Sequence, residues 1–228
     1  MRALPSLMQG GCSALNNSEK KGVTLAATVL YEVGDGLYLN ITNKCTNRCD
    51  FCIRNNGDGA YGSDSLWLKR EPTYDEIVAE IKKRDLALYS ELVFCGYGEP
   101  TCRLDTLLEV ARFLRCEYPE KRIRLNTNGH ASLIAGFDTA PRFQGLFDTV
   151  SISLNAPTAA EYEAICHSVF GMDAFCGMLD FAKRVSAYVP ECIFSVVGDF
   201  LTDCQLAECK RISDECGVTL KVRKYIGK

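Results

Sequence analysis

Leu37-Tyr38-Leu39-Asn40-Ile41-Thr42 leads through Asn43 and Lys44 into Cys45-Thr46-Asn47-Arg48-Cys49-Asp50-Phe51-Cys52. The first six residues alternate with period two, so Leu37, Leu39 and Ile41 share one face of a strand while Tyr38, Asn40 and Thr42 share the other. The same alternation recurs along the chain. Ile123 and Leu125 oppose Arg124, Asn126 and Asn128; Val150, Ile152 and Leu154 oppose Ser151, Ser153 and Asn155; Leu220 and Val222 oppose Lys221, Arg223 and Tyr225. With Leu92–Cys95 and Ile193–Val197, whose Ser195 falls on the polar face, these runs make six expected strands: Leu37–Thr42, Leu92–Cys95, Ile123–Asn128, Val150–Asn155, Ile193–Val197 and Leu220–Ile226.

Helical patterns separate them, at roughly 74–88, 104–117, 159–166, 173–188 and 203–216. Thr73 with Glu76, Thr158 with Glu161 and Thr202 with Gln205 each match a capping box, in which a side-chain oxygen satisfies an orphan amide of the first turn. Strands alternating with helices of crossover length predict an α/β fold with a parallel sheet. The apolar face must then be the one the helices cover, and the polar face lines an interior. A sheet with that polar face in water is the competing arrangement, disfavoured by the length of the connections. Barrel interiors are usually filled by Val, Ile and Leu, so one rich in Asn, Ser and Arg implies a polar ligand. Six strands are too few to close an eight-stranded barrel, and the expectation is an open partial (β/α)6 barrel with ligands at the carboxyl ends of its strands.

The chain has 228 residues, a net charge of -3 and 47% hydrophobic residues, the size and balance of one soluble domain. Residues 1–22 read as a poorly ordered leader and 23–228 as the domain. No window approaches the ~18 uninterrupted apolar residues of a membrane span, and the acidic balance argues against an extended nucleic-acid surface. Thirteen cysteines beside two histidines, His130 and His167, is an odd number in a long chain, which favours reduced thiols in a cytoplasmic setting over a disulfide framework.

Cys45, Cys49 and Cys52 fall within eight residues at a strand's carboxyl end, where thiolates can converge on a metal or cluster. Three ligands are one short of a closed site, leaving a coordination position open; a zinc knuckle borrowing Cys95 or Cys102 is the alternative. This Cys-x3-Cys-x2-Cys spacing, with the aromatic Phe51 before the third cysteine, resembles the radical S-adenosylmethionine (radical SAM) superfamily, whose motif holds a [4Fe–4S] cluster. Gly96-Tyr97-Gly98-Glu99-Pro100 resembles its Gly-Gly-Glu-Pro segment, with Tyr97 in place of the second residue, and Asn126-Thr127-Asn128-Gly129 resembles its ribose-contacting segment. The resemblance assigns Ser153 and Asn155 to the ribose and methionine carboxylate, and Val197 to the adenine. It covers about residues 30–228.

More narrowly, Cys52–Gly59, Asp64–Thr73 and Phe94–Pro100 resemble the TatD-associated radical SAM proteins. The resemblance implies reductive cleavage of S-adenosylmethionine to a 5′-deoxyadenosyl radical that abstracts hydrogen from a substrate. It also implies an external electron donor such as flavodoxin or ferredoxin and a TatD-type nuclease as a possible partner. A non-catalytic iron–sulfur or zinc module partnering that nuclease is the competing function. Arg54, Arg223 and Tyr225 are the candidate substrate contacts, with Arg54 and Arg223 expected to hold an anionic group. The long loop Cys52–Pro72, which carries the only tryptophan, Trp67, is expected as a wall or lid. Cys204, Cys209 and Cys216 are read as structural thiols, and Cys166-His167 as ordinary residues, because neighbours on a helix do not face one another.

Overall fold

The alternating runs come together as a single sheet in the order β1-β2-β3-β4-β5-β6-β7 in the computed structural model, which describes residues 28–225. The expected leader, and Ile226 of the last expected strand, lie outside the described residues. The expected six strands are β2 (Gly36–Leu39), β3 (Glu91–Phe94), β4 (Arg122–Thr127), β5 (Thr149–Ser153), β6 (Glu191–Val197) and β7 (Thr219–Arg223). Each is parallel to the next. The first and last strands are not neighbours in the sheet, so the barrel is open, as the strand count requires.

One strand is additional. β1 (Leu30–Val33) pairs antiparallel with β2 through a two-residue turn at Gly34 and Asp35, and Gly34 takes the positive φ of 59° that this tight reversal needs. Leu30-Tyr31-Glu32-Val33 followed by Gly-Asp is a hairpin signal, and the strand list above begins one strand too late.

The helices are α1 (Tyr74–Lys82), α2 (Leu104–Glu117), a short α3 (Ala131–Ala135), α4 (Ala159–Cys166), α5 (Asp173–Val185) and α6 (Asp203–Cys216). The caps at Thr73 and Thr202 are complete capping boxes, and Thr158 accepts from the Glu161 amide, so three of the expected starts are set by local hydrogen bonds. The pattern expected to run on to residue 88 stops at Lys82 and resumes as a 3-10 turn at Leu86–Leu88, capped by Asp85.

The core lies between sheet and helices. Leu37, Leu39, Leu125, Val150, Ile152, Leu154 and Phe194 bury themselves against Ile77, Ile81, Leu107, Leu108 and Phe181. Each such side chain stabilises the fold by about 1.5–3 kcal/mol through lost apolar exposure. The apolar face is thus the helix-covered one, with an exception at β7, where Leu220 packs on the core but Val222 remains 50% exposed.

On α6, Cys209 and Cys216 are buried and Cys204 is exposed, so the three thiols do not share one face.

Candidate functional site

The polar face encloses a cavity of about 360 Å³ at the carboxyl ends of the strands. It is lined by Cys45, Cys49 and Cys52, by Phe51, by Gly96, Tyr97, Gly98 and Glu99, by Asn126 and Asn128, by Ser153 and Asn155, by Val197, and by Arg223 and Tyr225. Every expected site residue except Arg54 is therefore brought to one chamber. Asn40 and Thr42, assigned to the same face, are used by the chain itself. Asn40 donates to the carbonyls of Thr28 and Leu66 and accepts from the Tyr97 amide, while Thr42 donates to Glu71 at 2.7 Å.

The cysteine loop is held from two sides. On one side it docks on the end of α4, where Arg48 N donates to the Cys166 carbonyl at 2.8 Å and Asp50 N to the Ile165 carbonyl at 3.0 Å. Those carbonyls are among the acceptors that a helix C-terminus leaves unpaired. His167 adopts a positive φ of 45° at the helix end, and its Nε2 lies 2.9 Å from an Asp50 carboxylate oxygen. Cys166-His167, read from the sequence as ordinary, is thus the platform for the thiol loop. Helix neighbours need not face each other to meet one loop: here the first contributes its carbonyl and the second its ring.

On the other side is a buried polar network. Asn128 Nδ2 donates to Thr46 Oγ1 at 2.8 Å, Thr46 Oγ1 lies 2.9 Å from His130 Nδ1, and His130 Nε2 lies 3.3 Å from the Tyr162 hydroxyl. Asn47 Nδ2 donates to that hydroxyl at 2.9 Å. Burial pushes the His130 pKa down to about 4, so the ring is neutral near pH 7. Asn128 also accepts from the His130 amide, which leaves its side chain engaged with its own chain.

Glu99 is engaged in the same way. Its carboxylate accepts from the Thr101 amide and hydroxyl, the Thr127 hydroxyl and the Asn128 amide, tying the end of β3 to the end of β4. Burial pushes its pKa upward against those donors. Tyr97, the departure from the glycine-rich pattern, anchors the long loop. Its hydroxyl donates to the Gly57 carbonyl at 2.7 Å, and its ring meets Trp67 edge-on at 5.1 Å. Asn43 Nδ2 bonds the Leu68 carbonyl, and the loop is consequently a fastened wall.

Arg223 is among the residues that line the cavity, and Arg54 is not. It lies over the Trp67 ring at 5.6 Å and donates to the Asn43 carbonyl, outside the cavity lining, because the loop turns it toward its own tryptophan. Arg223 lines the cavity together with Cys95 and Tyr61 and makes no ion pair among the described residues. Tyr225 bonds Asn56 through its hydroxyl and packs on Phe200, which in turn stacks on Phe51 at 5.4 Å.

What remains free identifies the ligand chemistry. Among the described residues four buried side-chain polar atoms lack a partner, and three of them, Oδ1 of Asn47, Asn126 and Asn155, belong to residues lining this cavity. Each unmet acceptor costs about 1–3 kcal/mol, so together they call for a ligand rich in hydrogen-bond donors. Asn155 also holds a left-handed φ of 60°, uncommon outside glycine. At Gly98 a Cβ would collide with the Thr42 carbonyl and sit 2.6 Å from that of Lys44, so only glycine lets the β3 loop lie against the cysteine loop.

S-adenosylmethionine would supply such donors as an ammonium, two ribose hydroxyls and an adenine amine. The three cysteines are free thiols at the same chamber. Burial pushes Cys45 up to about 12, and the hydrogen bond to Cys166, then burial, raises Cys49. A metal that displaces these protons would turn them into ligands. Among the described residues no three His, Cys, Asp or Glu side chains, Cys45, Cys49 and Cys52 included, are grouped closely enough to hold one metal ion. Tyr31 donates from its hydroxyl to the Cys95 carbonyl at 3.4 Å, and burial pushes the Cys95 thiol up.

Residues 39–211 match the family model described as the radical SAM superfamily. A stretch of 121 residues, 52% of the chain, is 28% identical to the 5-amino-6-(D-ribitylamino)uracil–L-tyrosine 4-hydroxyphenyl transferase 1 of Methanosarcina barkeri, of which it covers 29%. Among solved structures, a radical SAM methyltransferase from Sphaerobacter thermophilus superposes with a TM-score of 0.59 at 18% identity, over 85% of this chain and 57% of that one. SuiB of Streptococcus suis, bound to precursor peptide SuiA, superposes with a TM-score of 0.55 at 16% identity, over 82% and 38%. These structures share the fold, and the chain spans 29% to 57% of the lengths of these relatives.

Proposed function

Because the chain belongs to the radical SAM superfamily, we propose that it is a radical SAM enzyme in which Cys45, Cys49 and Cys52 hold a [4Fe–4S] cluster and the neighbouring strand ends bind S-adenosylmethionine. The observation that carries this reading is the meeting of three free thiols with the unpaired amide oxygens of Asn47, Asn126 and Asn155 in one cavity. When bound, the cluster and S-adenosylmethionine supply reductive cleavage of the S–C5′ bond and a 5′-deoxyadenosyl radical that takes hydrogen from a substrate.

The chain's own residues bind, orient and exclude water. Asn126 and Asn155 accept hydrogen bonds from the nucleoside hydroxyls and the methionine end, with Ser153 between them on the polar face. Gly96 and Gly98 keep the β3 loop low enough for backbone groups to approach the ligand. Phe51 and Val197 give the adenine an apolar wall. Asn128 and Glu99 act one step back, fixing the loop and the strand ends. Arg223, a cation facing the cavity, is the substrate contact.

Within the superfamily the reading extends to the TatD-associated group. Its support is that the three resembling segments pack together: Tyr97 bonds Gly57, and Trp67 meets Tyr97. A one-electron donor such as flavodoxin or ferredoxin would reduce the cluster. Twelve free thiols among the described residues support a reducing, cytoplasmic setting, and no described helix is long and apolar enough to cross a membrane.

Calorimetry of S-adenosylmethionine binding to the anaerobically reconstituted chain tests the reading. Asn155→Ala removes an acceptor and is expected to weaken binding by about 1–3 kcal/mol, whereas unchanged affinity would place the ligand elsewhere.

A further inference from the structure

The parallel register sets the polar faces of β5, β6 and β7 in rows: Ser153 stands beside Ser195 and Ser195 beside Lys221, with Val197 beside Arg223 one row nearer the strand ends. Neighbouring strands lie about 4.8 Å apart, so the row from Ser153 to Lys221 spans about 10 Å. Ser151, one row deeper on β5, lines the cavity with Ser195, Lys221 and Arg223. Ser151 and Ser195 are only 7% and 6% exposed, yet neither hydroxyl is hydrogen-bonded to a described residue. Burying a hydroxyl without a partner is costly, so the pair calls for a ligand that accepts from it.

Charge points the same way. Among the described residues the cavity is lined by four cations, Arg124, Lys221, Arg223 and Lys224, and by one carboxylate, Glu99. Glu99 is saturated by its four donors, and Arg124 is neutralised by Glu91, to which its Nε donates at 3.1 Å. The side chains of Lys221 and Arg223 make no ion pair or hydrogen bond among the described residues. S-adenosylmethionine does not balance them, since its sulfonium and ammonium outnumber its one carboxylate, which belongs with Ser153 and Asn155 in the reading above. Charge on an edge strand also discourages aggregation, but that purpose needs no buried serines beside it.

We propose that the substrate carries an oxyanion, a carboxylate or a phosphate, held by Ser195, Lys221 and Arg223 with Ser151 one row deeper; this rests on the radical SAM reading above and names the substrate class for that site. The hydroxyls donate to the oxyanion, the guanidinium offers it a planar fork, and the ammonium adds a compact charge. The anion is thereby anchored within two strands of Ser153, and the rest of the substrate extends along the polar face towards the cofactor.

The test is calorimetric titration of inorganic phosphate and, separately, of acetate into the full chain, both metal-free and reconstituted with iron, sulfide and S-adenosylmethionine, at an ionic strength held constant with chloride. One anion per chain is expected to bind, and the tighter of the two names the oxyanion. Lys221→Gln and Ser195→Ala are each expected to weaken that binding about tenfold, with S-adenosylmethionine bound as in the parent. Ser195→Ala decides the matter, because it removes a donor and no charge. Binding weakened by Lys221→Gln but untouched by Ser195→Ala would reduce the cations to a charged edge and overturn the proposal, as would the lack of saturable binding of either anion. Saturable anion binding by a chain that assembles no cluster on reconstitution would overturn the cofactor reading instead and leave the anion site standing.

Discussion

The backbone amide of Arg48 donates to the backbone carbonyl of Cys166 at 2.8 Å, joining the middle of the thiol loop to the end of a helix 118 residues further along the chain. The companion bond from Asp50 to Ile165 places Cys49 between two fixed points. The loop is therefore shaped by protein contacts and does not depend on a metal for its form, unlike a zinc finger.

Hydrogen exchange of the metal-free chain checks this. The amides of Arg48 and Asp50 are expected to exchange slowly for loop residues, in step with the α4 end. Exchange as fast as that of an unprotected loop would show that the loop is unformed until iron arrives.

Gly98→Ala probes the contact between the β3 loop and the cysteine loop. The added methyl group meets two backbone carbonyls that cannot swing aside as a flexible side chain would. Overpacking of this kind costs about 1–3 kcal/mol. The variant should unfold at lower denaturant and take up less iron per chain; stability and loading equal to the parent would mean that the two loops separate more readily than their packing implies.

His130 gives a pH signature. Its folded pKa of about 4 lies below the ordinary 6.5, so the unfolded chain binds the proton more readily. The associated stability is fully present above pH 6.5 and is lost as pH falls towards 4. The expected loss is on the order of 2–3 kcal/mol, in addition to that from the carboxylates. Denaturant titrations of the parent and His130→Gln across that window should differ in slope, with the variant flatter. Parallel curves would mean that the ring is not held neutral.

The period-two runs made the sheet legible because each strand has one face on the helices and one on the chamber, and the helix starts were legible because Thr73, Thr158 and Thr202 act locally. The site residues were legible as a set, since the strand ends and the loops after them must open on the same end of a parallel barrel. Their division of labour was not. A side-chain amide that binds ligand and one that binds its own chain look alike in sequence, so Asn128 and Asn155 read the same although the first is used by Thr46 and His130 and the second keeps a free oxygen. Cys166 and His167 carried no local signal because their role arises across more than 100 residues of chain, at a contact that the assembled sheet brings together. For Arg54, nearness to the cysteines in sequence does not fix the turn that sends it to Trp67.

The most direct test of the account is the formation of 5′-deoxyadenosine by the anaerobically reconstituted chain given S-adenosylmethionine and dithionite. The predicted result is 5′-deoxyadenosine and methionine in equal amounts, abolished when Cys45, Cys49 and Cys52 are together replaced by Ala in a chain that still folds. A chain carrying a full [4Fe–4S] complement and binding S-adenosylmethionine, yet releasing no 5′-deoxyadenosine above the level of that triple variant, would contradict it.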